Sequence, residues 1–549
     1  MHRPHRLPVA LLLSMAVLGG STSSSTSSAP LKNVLLIVID DLRPQLNAYG
    51  APDMKMANGT STTPHIDALA AEGALFERAY VQQAICSPTR NSFLSGRYPD
   101  KTKTWNFINS FRDEGVGDGW TALPEFFLKH GYWTTGAGKV YHPGHPPNYD
   151  GNRSWSDFSG FSKGGKCACG GKHTPWPPGG HATCEGVVSS CGDDQVVQIV
   201  SEQLAQAANG SIKSPWFIAA GLHKPHMPFF AKQEHFALYP KPSAPLPAHV
   251  PAGYPYDAWH SCLSDLGGKA GVNYSNWGQF VDISNSMSYE RPMEAAPAAH
   301  LRRGYFASVT YTDENVGQIM SAAKGLGLLE DTVVALIGDH GWSLGEGNLW
   351  CKMTTGENGA RVPLIIRAPW AQKGGRGLRV AALAEAVDLY KTLVELSGLG
   401  LAAVEAGVDG VSLARLLQAK AAPPPRTIAK SQFPRCWSAI ARTQHLSALP
   451  ALDRTDCQDI NATDFDLMGY SVRSADYRYT EWRAWDGAKL VGRFDLPPNA
   501  TELYDHRATP FLNAFGKELV NVVVDPKYAS AAKEMAAQLR AAFPQTAAD

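Results

Sequence analysis

The chain has 549 residues, 44% hydrophobic and 18% charged, with 50 basic residues balanced by 50 acidic ones. That length supports a large buried core, as one large domain with a smaller companion or as two or three medium ones. Zero formal net charge excludes the global basic footprint of a nucleic-acid or anionic-membrane binder, so a strongly anionic ligand has to be gripped by a local basic pocket.

The N-terminus is basic at Arg3 and Arg6, apolar from Leu7 to Leu18 and small at Gly19-Gly20-Ser21, the layout of a secretory signal peptide. A Ser/Thr tract, Ser21 to Ser28, follows, so residues 1–28 are set aside from the fold. No later apolar run approaches transmembrane length. The mature protein is therefore expected to be soluble, with no membrane and no nucleic acid among its partners, and to be lysosomal or extracellular. Asn-x-Ser/Thr sequons at Asn58, Asn152, Asn209, Asn273, Asn461 and Asn499 fit that route. Nine cysteines is an odd number for a secreted chain and calls for one free or modified thiol. Of the others, Cys167, Cys169, Cys184 and Cys191 lie with His173 and His181 in a Gly/Pro-rich stretch, where disulfides and a zinc site are the two readings.

Asn33 to Ile39 is a continuous apolar, β-branched run that stops at Asp40-Asp41, as a strand buried on both faces of a parallel sheet does. Ligands of open α/β sheets bind at the carboxyl ends of strands. Two adjacent carboxylates there suggest a hard cation with oxygen ligands, the plainer alternative being a helix cap beside a solvated acid. Thr63-Pro64 then starts a helix, with Thr63 as its cap and Pro64 at the first position. The segment from Phe76 to Ile85 is strand-like and delivers Cys86-Ser87-Pro88-Thr89-Arg90. Pro88 suits a first helical turn, which places Cys86 at a helix N-terminus where an oxyanion or thiolate is favoured. Arg90 adds a permanent cation with a fork of donors suited to sulfate or phosphate. A plain buried cysteine beside a helix start is the alternative.

The same strand-then-polar pattern recurs. Tyr132 to Thr135 runs into Gly138-Lys139 and His142, and Pro215 to Gly221 runs into His223-Lys224-Pro225-His226. Thr332 to Gly338 runs into Asp339-His340, and Lys352 and a strand beginning at Arg361 follow. Residues 143–192 and 240–300 read as long loops. Tyr305, Phe306, Val309, Val316, Ile319 and Met320 recur at helical spacing, as in a core-packing helix. Ala421-Ala422-Pro423-Pro424-Pro425 is a linker candidate. Beyond it, strand-like runs at Tyr470 to Arg473 and Tyr477 to Trp482, with a closing helix near Pro526 to Phe543, suggest a small antiparallel sheet.

Cys86-Ser87-Pro88-Thr89-Arg90 with Ser95-Gly96-Arg97 resembles the type I sulfatase signature. Asp40-Asp41, Gly138-Lys139, the His223 loop and Asp339-His340-Gly341 extend that resemblance from about residue 32 to beyond 500. Asp40 to Pro44, Gly138 to Gly144, Gly221 to His226, Ser431 to Arg435 and Met468 to Arg473 are most similar to the iduronate-sulfatase branch. The resemblance implies an α/β, alkaline-phosphatase-like fold with a large, mostly parallel sheet flanked by helices. It also implies a catalytic domain over residues 31–420, and a smaller C-terminal α+β subdomain over 426–549 containing an antiparallel sheet. It implies that Cys86 becomes Cα-formylglycine through a formylglycine-generating enzyme, and that Asp40, Asp41, Asp339, His340 and residue 86 hold one Ca²⁺. It further makes Arg90 a stabiliser of the modified residue, sets Lys139, His142, His223 and Lys352 around the sulfate, and leaves His223 or Lys352 to protonate the leaving oxygen. The implied substrate is a sulfated oligosaccharide or polysaccharide with a 2-O-sulfated uronate. Gly347-Asn348-Leu349 and Arg361 depart from the iduronate branch, which makes the sulfate ester a firmer expectation than the sugar. A phosphodiesterase or phosphonate hydrolase of the same superfamily, or a secreted non-catalytic glycan-binding protein, are the rival expectations.

Overall fold

Among the described residues, seven strands make the main sheet, and their sequences explain their places in it. In the computed structural model, β1 (Asn33–Ile39) is buried along its whole length, as an uninterrupted apolar run requires. It lies between β4 (Trp216–Leu222) and β5 (Thr332–Gly338), parallel to both. With β2 (Ala74–Tyr80), β3 (Trp133–Gly138), β6 (Arg361–Arg367) and β7 (Leu378–Glu385), the order across the sheet is β7-β2-β6-β5-β1-β4-β3. Only β6 runs against its neighbours, so the sheet is mostly parallel, as expected. The structure describes residues 1, 30–161, 183–185, 192–227, 229–239, 295–346, 350–373, 375–418, 423–436, 457–508 and 518–544. The signal-like N-terminal stretch, the cluster around Cys167, Asn273 and the departure at 347–349 fall outside them.

Helices cover both faces. The helix α1 (Pro64–Glu72) precedes β2, and α2 (Cys86–Ser95) follows it. The helix α3 (Gly192–Ala208) precedes β4, and α4 (Ala295–Gly325) precedes β5. The spaced apolar residues of α4, Tyr305, Val309, Val316 and Ile319, are all buried in one core with alternate residues of β1, while the other residues of β1 enter a second core on the opposite face. One expectation is corrected here. Thr63 makes no side-chain cap bond to α1; its hydroxyl accepts from the Asn47 amide instead. The carboxylate of Asp313 in α4 takes the free amides of His65 and Ile66 at 3.1 and 2.7 Å.

A second, antiparallel sheet joins β8 (Ala429–Arg435), β9 (Leu467–Arg473), β10 (Tyr477–Asp486) and β11 (Ala500–Asp505). The closing helix α5 (Ala529–Ala542) packs on it through Met535 and Leu539. A disulfide joins Cys436 to Cys457. Both sheets belong to one compact unit, Leu31–Asp549.

Candidate active site

The carboxyl ends of β1, β3, β4 and β5 all deliver polar side chains to the N-terminus of α2. Adjacent strands run in register, so residues just past β1 and β5 are brought together: Ile39 pairs with Gly338, and the Asp339 amide donates to the Ile39 carbonyl at 3.0 Å. Between β3 and β4 the approach is closer still. Gly138 has φ +75, and a Cβ on it would lie 2.1 Å from the Gly221 carbonyl oxygen. Only glycine fits there, and the turn it permits sends Lys139 into the pocket.

Cys86 is the first residue of α2, buried and free. Its Sγ lies 3.2 Å from His340 Nε2, 3.4 Å from Asp40 Oδ1, 3.5 Å from Lys352 Nζ and 3.6 Å from Lys139 Nζ. The ammonium of Lys139 donates to Asp40 Oδ2, and that of Lys352 donates to Asp41 Oδ1 at 2.8 Å. Arg90 forks onto Asp339 Oδ2 with Nε at 3.0 Å and Nη2 at 2.7 Å, and its Nη1 donates to the carbonyls of Lys139 and Val140. His223 stands with Nδ1 3.7 Å from Asp40 Oδ2, and 44% of its side chain remains exposed. His142 sits in the wall, its ring 4.9 Å from that of Phe107 and 4.7 Å from that of His145. The structure thus gathers Cys86, Arg90, Lys139, Lys352, Asp40, Asp41, Asp339 and His340 in one contact network, with His223 beside it and His142 further out.

Electrostatics divides the carboxylates. Burial pushes Asp40 upward, but Lys139, His226, Arg90 and Lys352 outweigh it and hold its pKa well below the usual range. Burial wins at Asp41, where Asp40 and Asp339 add repulsion, and at Asp339, pushed up to about 7 in spite of Arg90. Burial, then nearby lysines, keeps His142, His223, His226 and His340 well below the ordinary imidazole value. The thiol of Cys86 departs from the sequence expectation. Burial and the neighbouring Asp40 raise its pKa well above normal despite Lys139 and Lys352, so a helix N-terminus does not make it a thiolate here.

Asp40, Asp41, Cys86 and His340 each present a ligand atom, all within 4.8 Å of one another, which makes a possible buried metal site. Asp41 Oδ2 is buried without a hydrogen-bond partner. Asp41 also holds φ 59, a costly backbone conformation for a residue with a Cβ. The hydroxyl of Tyr305 secures it by donating to the Asp41 carbonyl at 2.8 Å. Asp339 is engaged differently: Oδ1 accepts the amides of Asp41 and His340 at 3.1 and 2.8 Å, and Oδ2 faces Arg90. Sequence reading placed Tyr305 only in the core stripe of a helix and did not single out Phe107, His145 or Asp193. None carries a local motif, and each reaches the site only through the fold.

Cations gathered with carboxylates at the strand ends of such a sheet suit an enzyme that acts on small anionic esters. The sulfatase family model matches residues 32–399, and the chain belongs to the sulfatase family: it hydrolyses sulfate esters. Iduronate 2-sulfatase of Homo sapiens is 32% identical over 550 residues, covering 90% of this chain and 92% of that protein. Among solved structures, the phosphonate monoester hydrolase of Silicibacter pomeroyi superposes with a TM-score of 0.65 at 22% identity, over 93% of this chain and 95% of that one. A protein solved with its substrate D-glucosamine-2-N,6-O-disulfate gives a TM-score of 0.63 at 18% identity, over 93% and 97%. At those identities the two structures speak to the fold.

Proposed function

We propose that the protein removes sulfate from a 2-O-sulfated uronate in a glycosaminoglycan-like polysaccharide, using formylglycine at position 86 and one Ca²⁺. The observation that carries the chemistry is the placement of two ammonium groups, Lys139 and Lys352, within 3.6 Å of Cys86 Sγ. The sugar rests on similarity to iduronate 2-sulfatase. The signal-like N-terminus adds a secretory route, lysosomal or extracellular, where a formylglycine-generating enzyme would act on the chain.

The donor set suits a hard cation. Asp40, Asp41 and Asp339 supply oxygens, Asp41 Oδ2 lacks any other partner, and oxygen-rich sites select Ca²⁺ or Mg²⁺. His340 is the poorest donor of the set, because imidazole favours softer metals. When present, the oxidised residue 86 supplies the nucleophile toward sulfur and the cation supplies Lewis-acid charge.

The remaining roles belong to the chain's own side chains. Asp40, Asp41 and Asp339 are balanced by Lys139, Lys352 and Arg90, so a bound cation would leave the pocket net positive for a sulfate ester. Lys139 and Lys352 face the sulfuryl oxygens and offset the charge that grows on them in the transition state. Arg90 fixes Asp339, which in turn fixes the amides of Asp41 and His340. His142 donates Nδ1–H to the Pro143 carbonyl at 3.0 Å, which leaves Nε2 as a proton acceptor. His223 protonates the leaving oxygen: its imidazole is neutral in the free site and takes up its proton when the negative charge of the sulfate ester lies beside it. Its side chain is 44% exposed, whereas that of Lys352 is 3% exposed and held by Asp41.

The test compares initial rates on aryl sulfates with those on matching phosphate and phosphonate esters, followed by a panel of sulfated oligosaccharides. Mass spectrometry of the peptide spanning Cys86 accompanies it. Sulfate preference, an aldehyde at residue 86 and release of 2-O-sulfate are the expected results. A large preference for phosphorus esters overturns the bond class, and an intact cysteine on an inactive, glycan-binding protein overturns catalysis.

A further inference from the structure

The turn that carries His223 is held from within by the His226 amide, which donates to the His223 carbonyl at 3.0 Å, and the two histidine rings lie 4.7 Å apart. It begins where β4 ends, and His223 Nδ1 approaches the Cys86 network at Asp40 Oδ2, 3.7 Å away. Its backbone is also fixed from another element. Asp193, in the first turn of α3, is 2% exposed, and its two carboxylate oxygens accept the consecutive amides of His223 and Lys224, each at 2.8 Å. The next residue, Asp194, accepts the Tyr311 hydroxyl of α4 at 2.7 Å. The first turn of α3 is thus anchored to α4 on one side and grips the His223 turn on the other. Lys224 closes the turn by donating from Nζ to the His226 carbonyl at 2.7 Å.

We propose that Asp193 is a positioning residue for leaving-group protonation: its bidentate grip on the His223 and Lys224 amides sets where the His223 ring meets the ester oxygen. This rests on the reading of His223 as the proton donor. A carboxylate is suited to the task because it accepts at both oxygens, while an asparagine accepts at one and turns a donor toward the second amide. The burial matters as well: buried amides left without an acceptor cannot turn to water, so the loop has to shift to find one. Small misplacement of a catalytic group is enough to cost about a hundredfold in rate.

The experiment uses the full-length protein and its Asp193→Asn, Asp193→Ala and His223→Gln variants, assayed on 4-nitrophenyl sulfate and on phenyl sulfate. Nitrophenolate leaves without help, whereas phenolate gains from a proton donor, so the ratio of the two rates isolates protonation. Because both substrates meet the same preparation, the ratio is independent of how much protein folds, and Asp193→Asn serves where Asp193→Ala yields none. The expected result is a fall of about tenfold to a hundredfold in kcat/KM for phenyl sulfate in the Asp193 variants, with a clearly smaller fall for 4-nitrophenyl sulfate, and His223→Gln shifting the ratio of the two rates in the same direction. Equal losses on both substrates in the Asp193 variants, beside a selective loss in His223→Gln, overturn the positioning role and leave His223 as donor. No selective loss in His223→Gln overturns the donor reading and the inference with it.

Discussion

Lys139 has two neighbours that ask different things of it. Its ammonium donates to Asp40 and lies 3.6 Å from Cys86 Sγ; burial opposes its charge, but Asp40 more than compensates, so its pKa is raised. A permanently charged group already in place at the reacting centre stabilises developing charge without reorganising, and removing one such donor costs about 10²–10³ in kcat. Lys139→Met is therefore expected to lower kcat by about that factor on every aryl sulfate alike, since the sulfuryl oxygens are common to all of them. Rates across a leaving-group series check this; a loss concentrated on poor leaving groups would reassign Lys139 to protonation. At this scale the sequence was most informative where chemistry and motif coincide, as at Cys86, Arg90 and Asp339. Asp193 was invisible because its whole role consists of two backbone amides supplied by the turn after β4, and no spacing along the chain records that.

Elements were legible in proportion to how completely they are buried. β1, β4 and β5 are covered on both faces, so their sequences are unbroken apolar runs, and their ends fall close to where the polar residues begin. The cap of α1 was misread because any local oxygen at position 63 looks adequate, while the acceptor actually used comes from α4. The reversed direction of β6 also left no mark, since an apolar strand reads the same either way. In the second sheet, Glu502 of β11 is buried between the Trp482 indole N–H and the Tyr504 hydroxyl, both donating to it. Burial pushes its pKa to about 7, the two donors only partly offsetting it. A carboxyl raised by folding contributes stability that is full below its unfolded value, near about 4.3, and is lost as pH rises through the folded one. The stability difference between the wild type and Glu502→Gln is thus expected to shift in favour of the variant between about pH 5 and about pH 8. Urea midpoints at the two pH values measure it, and a pH-independent difference would place Glu502 ionised throughout.

The whole molecule is fastened where the two sheets meet. The rim of the pocket already depends on the C-terminal chain: the Phe107 amide donates to the Gln458 carbonyl and the Asn106 side chain to that of Ile460, each at 2.9 Å, next to the Cys436–Cys457 bridge. Deeper in, Glu357, which lies just before β6, accepts from Arg478 at 2.8 Å and Arg473 at 3.3 Å, and from the Tyr80 hydroxyl at 3.0 Å. Glu518 takes Arg478 Nε at 2.6 Å and His506 at 2.9 Å, and its other oxygen accepts the Glu357 amide at 2.6 Å. Glu357, His506 and Glu518 have the spacing of a metal site, but the arginines already neutralise these carboxylates, and the cluster works as an ionic staple between the sheets. Burial works against the charge of Glu357, yet Arg473, Arg478, His506 and Arg361 outweigh it and hold its pKa well below normal. A carboxyl depressed by folding contributes stability that is present above its unfolded value and is lost as pH falls toward the folded one. Glu357→Gln strands buried guanidinium groups, so it is expected to cost about 3–5 kcal/mol at neutral pH. That deficit should narrow below about pH 4, as the Glu357 carboxylate of the unfolded wild-type chain takes up its proton while the folded one stays ionised. Urea unfolding of both proteins across that range decides it: a deficit that stays constant into acid would show that the arginines hold the sheets together without the charge of Glu357.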